Sequence, residues 1–300
     1  MNAVDDLLHG AVDLHSHPFP SPFPRRIDIL EAAQHYGEAG FRAMVAKSHH
    51  HSTAPDVALL KRHGLDDTGV QVFGAVALNC HVGGLNPHAV NLALALGARV
   101  VWFPTISSRQ HIEQARHTAL KFPALAVPLR EDTVVEVWDE TGGELRPEVH
   151  DILHMIADAD AVLAAGHMDV QSILGVLEAA RGAGVRRMIV NHPDFVIGAS
   201  HDNAVKMASL GAVIEHCLCM YDEDSAFYQD WPIDHLVEWI AAVGPERTVL
   251  SSDLGQENNP LPVESYRKIC GRLLDAGVPP HEVRMLVAGN PARLLGLEPD

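Results

Sequence analysis

The stretch Val12-Asp13-Leu14-His15-Ser16-His17-Pro18 carries the first recognisable chemistry in this 300-residue chain. An apolar run over residues 11–14 leads into two histidines two residues apart. On a β-strand alternate side chains share a face, so His15 and His17 point the same way, about 6–7 Å apart along the strand. Two imidazoles so placed can close on one metal ion. Pro18 cannot donate to a ladder, so the strand ends there, with the pair at its C-terminal end. Parallel sheets place their chemistry at that end. The chain holds 20 histidines, and two loop histidines would be an ordinary finding. The pair gains weight only from what other elements bring to it.

Seven further apolar runs end in polar residues. Residues 41–46 end at Lys47, followed by Ser48-His49-His50-His51. Residues 70–78 end at Asn79-Cys80-His81, and residues 98–103 at Pro104-Thr105. Residues 161–165 lead to Gly166-His167, residues 187–190 to Asn191-His192-Pro193, residues 212–215 to His216-Cys217, and residues 248–250 to Ser251-Ser252-Asp253. Between the runs the spacing of apolar residues predicts helices over 27–40, 54–63, 147–157, 171–183, 202–210, 233–243, 262–276 and 280–288, with a short one through Leu295. Asn86-Pro87 caps another through Leu96, and Ser107 or Ser108 one to about Lys121. The rhythm breaks once, after the fourth run. There residues 134–143, with Gly142-Gly143 as the turn, predict a small β-hairpin inserted over about 130–146.

Eight apolar runs alternating with helices argue for a parallel sheet with right-handed crossovers. Eight repeats over this length argue for an α/β fold, a (β/α)8 TIM barrel with the hairpin inserted after strand 4, organised as one domain over 1–300. An open doubly wound sheet is the alternative. In a barrel all the strand ends meet on one face, so His15, His17, His167, His192 and Asp253 converge there. Imidazoles and a carboxylate around an open position describe a catalytic zinc site. Zinc lowers the pKa of bound water from about 15.7 to about 7. Asp253, the one acid at the end of the eighth run, suits both ligand and proton acceptor. Taken singly, His167 and His192 could each bond a loop carbonyl and Asp253 could cap the next segment.

The D-x-H-x-H at the first strand end, single histidines at strands five and six, and an aspartate at strand eight resemble the amidohydrolase superfamily. The stretch from Gly289 to Leu297, GNPARLLGL, resembles the closing segment of its TIM-barrel metal-dependent hydrolases. Lys47-Ser48-His49-His50 and Gly83-Gly84-Leu85-Asn86-Pro87 are similar to segments of an uncharacterised amidohydrolase-related family. The resemblance implies His15, His17, His167 and Asp253 as metal ligands, with His192 ligating a second metal or polarising the substrate. It implies Asp253 as proton shuttle. In one respect the chain departs from the superfamily. Many members bridge two metals with a carboxylated lysine or a glutamate at strand four, where this chain has Trp102-Phe103-Pro104-Thr105. One zinc ion is therefore favoured over two. Lys47 could supply a bridge from strand two, Glu215 or His216 could complete a second site, or Lys47 could stay cationic and hold an anionic substrate group. Manganese, iron and nickel also suit imidazole and carboxylate ligands.

Lys47, His49, Asn79, His81 and Glu215 are the candidate substrate-binding residues, and Asp253, His192 and Lys47 the candidate catalytic ones. Gly83-Gly84 is a flexible turn without a phosphate-loop pattern. Arg109 and Arg130 suit a surface position better than a carboxylate site. No G-x-S-x-G motif accompanies Ser251-Ser252, which argues against serine hydrolysis. The expected reaction is hydrolysis of a C–N or C–O bond of a small molecule (amide, lactone or ester) by metal-activated water. The alternatives are a phosphoesterase or non-oxidative decarboxylase on the same scaffold, and a non-catalytic metal- or ligand-binding barrel.

A formal net charge of −17 disfavours nucleic acid and anionic membranes as partners. No run is long enough for a transmembrane helix, and the N-terminal residues lack the apolar stretch of a signal peptide. Cys80, Cys217, Cys219 and Cys270 show no C-x-x-C spacing, so a cytoplasmic protein with reduced cysteines is expected. Cys217 and Cys219 suit buried apolar positions better than a zinc site. A homo-oligomer stays open, with the hairpin as a candidate contact.

Overall fold

The structure, a computed structural model, describes residues 3–116 and 125–298. Eight parallel strands lie in one sheet in chain order: β1 (Val12–Ser16), β2 (Ala43–Ala46), β3 (Gln71–Ala77), β4 (Ala98–Trp102), β5 (Val162–Ala164), β6 (Arg187–Asn191), β7 (Ala212–Cys217) and β8 (Thr248–Ser251). The last strand lies beside the first: Ser16 bridges Leu254 in parallel, and the His17 amide donates to the Leu254 carbonyl over 2.7 Å. This is the topology of a (β/α)8 barrel. The helices are α1 (Ala3–Leu8), α2 (Ile29–Glu38), α3 (Ala54–Lys61), α4 (Pro87–Ala95), α5 (Arg109–Ala115), α6 (Pro147–Asp158), α7 (Val170–Gly182), α8 (His201–Ser209), α9 (Ile233–Val243), α10 (Pro262–Asp275), α11 (Pro280–Arg284) and α12 (Asn290–Leu295). No helix among the described residues is long and apolar enough to cross a membrane.

The chain divides into two compact units. The described residues up to Lys47, Asp56–Phe73 and those from Ile214 onward form the first; Ser48–Pro55 and the described part of Gly74–Val213 form the second. In the first unit β1 pairs with β2, with a register shift between Asp13 and Ser16, and β7 pairs with β8. All five residues of β1 are buried, polar Asp13 and His15 included, as expected where both faces of a parallel strand are covered. The helix starts follow capping chemistry. Asp28 and Glu31 form a capping box at α2, and Ser200 and Asn203 one at α8. Asn86 accepts from the His88 and Ala89 amides at α4, and Ser108 from the His111 amide at α5.

Several elements differ from their sequence reading. α1 precedes the first strand, where no helix is expected from the sequence. The helix read over 280–288 stops at Arg284, continues as a π-helical turn over Met285–Gly289, and resumes as α12. Asn290, in the closing motif, donates to the Pro245 and Thr248 carbonyls over 2.7 Å each and so anchors the start of β8. α5 runs to Ala115; the part of that helix expected over 117–121 lies outside the described residues. The expected hairpin is a turn with one antiparallel bridge, Trp138 to Leu145, and no strand ladder among the described residues. Asp139 takes over the turn: its Oδ1 accepts from Thr141 and from the Gly143 amide.

Candidate metal centre

The first unit gathers polar side chains where its strands end. β1 carries His15 on the strand and His17 one residue past its end; Lys47 directly follows β2, and Asp253 stands two residues past β8. His15 Nε2 and His17 Nε2 lie 3.2 Å apart. Asp253 Oδ1 lies 3.2 Å from the first and 3.0 Å from the second. Ligand atoms bonded to one tetrahedral ion at about 2.0–2.2 Å sit about 3.3–3.6 Å from one another. The three atoms thus stand close to three corners of one coordination shell. Two ring nitrogens and a carboxylate oxygen aimed at a common point are a donor set that a cation satisfies, so these residues fit a divalent metal ion. Lys47 completes the cluster, its buried Nζ 2.9 Å from His15 Nε2.

Buried groups behind the cluster hold it in place. Glu215 Oε2 lies 3.1 Å from His15 Nδ1. With the ring N–H donated to that carboxylate, the Nε2 lone pair faces Asp253 and His17, the arrangement that orients metal-binding histidines. Asp13 accepts from the backbone amides of His15 (3.0 Å) and Ser252 (3.1 Å) and from the Tyr36 hydroxyl, tying the end of β1 to the end of β8. Asp253 has φ 54°, a left-handed backbone that a non-glycine residue keeps only where its surroundings over-determine it. Its amide donates to the His15 carbonyl over 2.7 Å. Gly255 follows at φ +136°; a Cβ there would run into the His17 carbonyl, so the close crossing of the two strand ends requires glycine.

Charge coupling sorts the group. Burial pushes the Asp253 carboxyl up, but His15 and His17 outweigh it and hold it well below the usual carboxylate range. Burial takes His17 down to about 3, which favours its neutral ring. For His15 burial acts downward too, but the Asp253 and Glu215 charges raise it overall. Burial lowers Lys47 to about 8 against the pull of Asp253 and Glu215.

Arg25 is a member that sequence reasoning missed. It lies in the loop after β1, bridged in antiparallel fashion to Gln256, while the next amide, of Arg26, donates to the Gly255 carbonyl over 2.9 Å. Its Nε is buried and has no hydrogen-bond partner among the described residues. Burial draws its guanidinium down to about 10, with the Asp253 charge acting the other way.

The remaining sequence candidates are placed as follows within each unit. Glu215, expected to meet substrate, is fully buried and serves His15 instead. His216, expected to help complete a second site, points to the opposite face of β7, its ring 5.4 Å from that of Trp239. Cys217 and Cys219 are fully buried. In the second unit Asn79 is also fully buried. Its Oδ1 accepts from the Thr105 and Ser107 amides, and its Nδ2 donates to Thr105 Oγ1 and the His49 carbonyl. That uses the whole amide to join three loops and leaves nothing for a substrate. His49 Nδ1 lies 2.8 Å from Thr105 Oγ1, and its ring stands edge-on to His167, 5.8 Å away. His167 Nδ1 lies 2.9 Å from His111 Nδ1, and its ring is 4.9 Å from that of His192. His192 has φ 25°, another strained strand end. Within the second unit these imidazoles form one cluster. His111, absent from the sequence candidates, sits in the first turn of a helix capped by Ser108, its ring stacked on that of His167 at 5.0 Å. His81 lies beside Cys80 and Asp132, and Arg109 is exposed and paired with Glu136.

The sequence profile of a family of unknown function, DUF6282, matches residues 10–215. No curated protein matches. Among solved structures, an amidohydrolase from Pseudomonas aeruginosa aligns with a TM-score of 0.60 at 11% identity, covering 98% of this chain and 97% of that one. An organophosphorus hydrolase from Deinococcus radiodurans aligns at 0.59 and 14% identity, covering 98% and 94%. A phosphotriesterase homology protein from Escherichia coli, complexed with phosphate in its active site, aligns at 0.56 and 15% identity, covering 95% and 98%. At these identities the likeness is one of fold, and it agrees with the amidohydrolase resemblance of the sequence. The chain belongs to the family of unknown function DUF6282, built on the (β/α)8 fold of those hydrolases.

Proposed function

We propose that this protein is a metal-dependent hydrolase that cleaves a C–N or C–O bond of a small molecule bearing an anionic group. One observation carries the reading: three ligand atoms, from His15, His17 and Asp253, converge to 3.0–3.2 Å of one another. These residues would hold one divalent ion. When bound, that ion supplies Lewis acidity and eases deprotonation of water near neutral pH.

The chain's own residues do the rest. Asp253, ionised before the reaction, takes the proton released as water attacks the substrate's carbonyl carbon. It then delivers that proton to the leaving nitrogen or oxygen, so the acid and amine or alcohol products form without net proton uptake. Glu215 holds the His15 ring in one tautomer throughout. Lys47 and the Arg25 guanidinium are cationic groups coupled to the Asp253 charge. A charge-assisted bond from Arg25 to a substrate carboxylate would satisfy its Nε, which has no hydrogen-bond partner among the described residues. His192 and His167 retain their places as candidate groups in the second unit's imidazole cluster.

Phosphate chemistry is the second reading. It is favoured by the same cationic donors and by the fold shared with a phosphotriesterase homology protein. The deciding experiment is a panel of esters, lactones, amides and phosphoesters, each with and without a carboxylate, run with metal-loaded protein and with His15→Ala. Turnover of carboxylate-bearing acyl substrates that requires His15 supports the proposal. Phosphate release alone supports the second reading, and turnover unchanged in His15→Ala rejects both.

A further inference from the structure

A second group of metal-ligating side chains lies outside the site described above. Cys80 and His81 sit in the turn that follows β3, and Asp132 lies in the irregular stretch before the Trp138 turn. Cys80 Sγ is 3.2 Å from Asp132 Oδ1 and 3.7 Å from His81 Nδ1, and those two atoms are 3.6 Å apart. A tetrahedral ion with a metal–sulfur bond of about 2.3 Å and metal–nitrogen and metal–oxygen bonds of about 2.0–2.2 Å sets its ligand atoms about 3.3–3.7 Å apart. The three separations fall close to that range, and all three atoms come from side chains that ligate zinc-type ions.

We propose that Cys80, His81 and Asp132 form a second, independent site for a zinc-type divalent ion, with solvent in the fourth position. Ser107 orients the shell from behind. Its buried hydroxyl lies 2.9 Å from Asp132 Oδ1 and 3.0 Å from the Cys80 amide, which donates to it. The His50 ring stands edge-on to His81, 4.7 Å away, and fixes that imidazole from the other side. The His81 and Asp132 side chains are 18% and 27% exposed, so solvent and an entering ion reach the site. Thiolate, imidazole and carboxylate favour zinc, cobalt or nickel over magnesium or calcium. Bound there, the ion joins the turn after β3 to the inserted stretch, two segments far apart in the chain. Its role is to fasten the insertion.

The test is cobalt(II) titration of the full-length protein after metal has been stripped with chelator. A thiolate ligand gives a near-ultraviolet charge-transfer band, which imidazole and carboxylate ligands do not. The band is expected in the wild type and in His17→Ala. It is expected to vanish in Cys80→Ser, to persist in Cys217→Ser, and to need about tenfold more cobalt in Ser107→Ala. Far-ultraviolet circular dichroism of each variant shows that the fold is kept, and Asp132→Asn provides a second route should Cys80→Ser not fold. Absence of a thiolate band in the wild type would overturn the proposal. So would a band that survives Cys80→Ser, or one that disappears in Cys217→Ser.

Discussion

Two candidate ligand clusters of the same size sit in different settings. His15, His17 and Asp253 are borne on strand ends or one or two residues beyond, and both histidines are 2% exposed or less. Behind them stand Glu215, Asp13 and the Tyr36 hydroxyl, themselves buried. Cys80, His81 and Asp132 are borne on a turn and an irregular stretch, with Ser107 as their buried support. The first arrangement pays its desolvation and strain when the chain folds. That preorganisation suits chemistry, because donors held rigidly reorganise little as charge develops. The second is partly exposed and borne on a turn and an irregular stretch, which suits an ion that fastens segments together.

The largest effect is expected at Asp253. Asp253→Asn should lower kcat by about 100- to 10,000-fold, the usual worth of a general acid–base group, and should weaken metal binding. A variant with undiminished kcat would remove the proton-transfer role. Next is Glu215→Gln, which leaves His15 in place but weakens the hydrogen bond that orients it. Metal affinity at the buried cluster should fall about tenfold while cobalt binding at Cys80 is unchanged. Equal losses at both would make Glu215 a general stability residue. Arg25→Leu should raise KM for carboxylate-bearing substrates about tenfold or more, the cost of one charge-assisted bond, with little change for neutral analogues. An equal change for both classes would argue against an anion contact. The smallest effect is Asp132→Asn. It should leave kcat within about twofold while abolishing the rise in thermal midpoint that zinc gives the stripped protein through this cluster.

Much of this was legible in the sequence, for physical reasons. The period of two along a strand places His15 and His17 on one face, and run ends are where parallel strands display polar groups, which singled out Lys47 and Asp253. Alternating runs and helices disclosed eight strands because each element buries its own apolar face. Other features depend on packing that no local pattern records. Glu215 reads as a pocket residue until the pairing of β7 sets it behind His15. Asn79 reads as a substrate ligand until three loops claim its amide. Arg25 lies in a proline-rich loop with no periodicity, and only the bridge to Gln256 brings it near Asp253. Asp132 meets Cys80 across a long stretch of chain. The arms of the Trp138 turn share two backbone bonds, from the Asp139 amide to the Glu144 carbonyl and from the Arg146 amide to the Val137 carbonyl, and the Asp139 carboxylate closes the turn between them.

The central claim is one ion on three particular atoms. Anomalous diffraction from crystals of protein loaded with zinc or manganese tests it directly. The account predicts a peak about 2.0–2.2 Å from His15 Nε2, His17 Nε2 and Asp253 Oδ1. Fully loaded crystals with no anomalous density within bonding distance of those three atoms would contradict it.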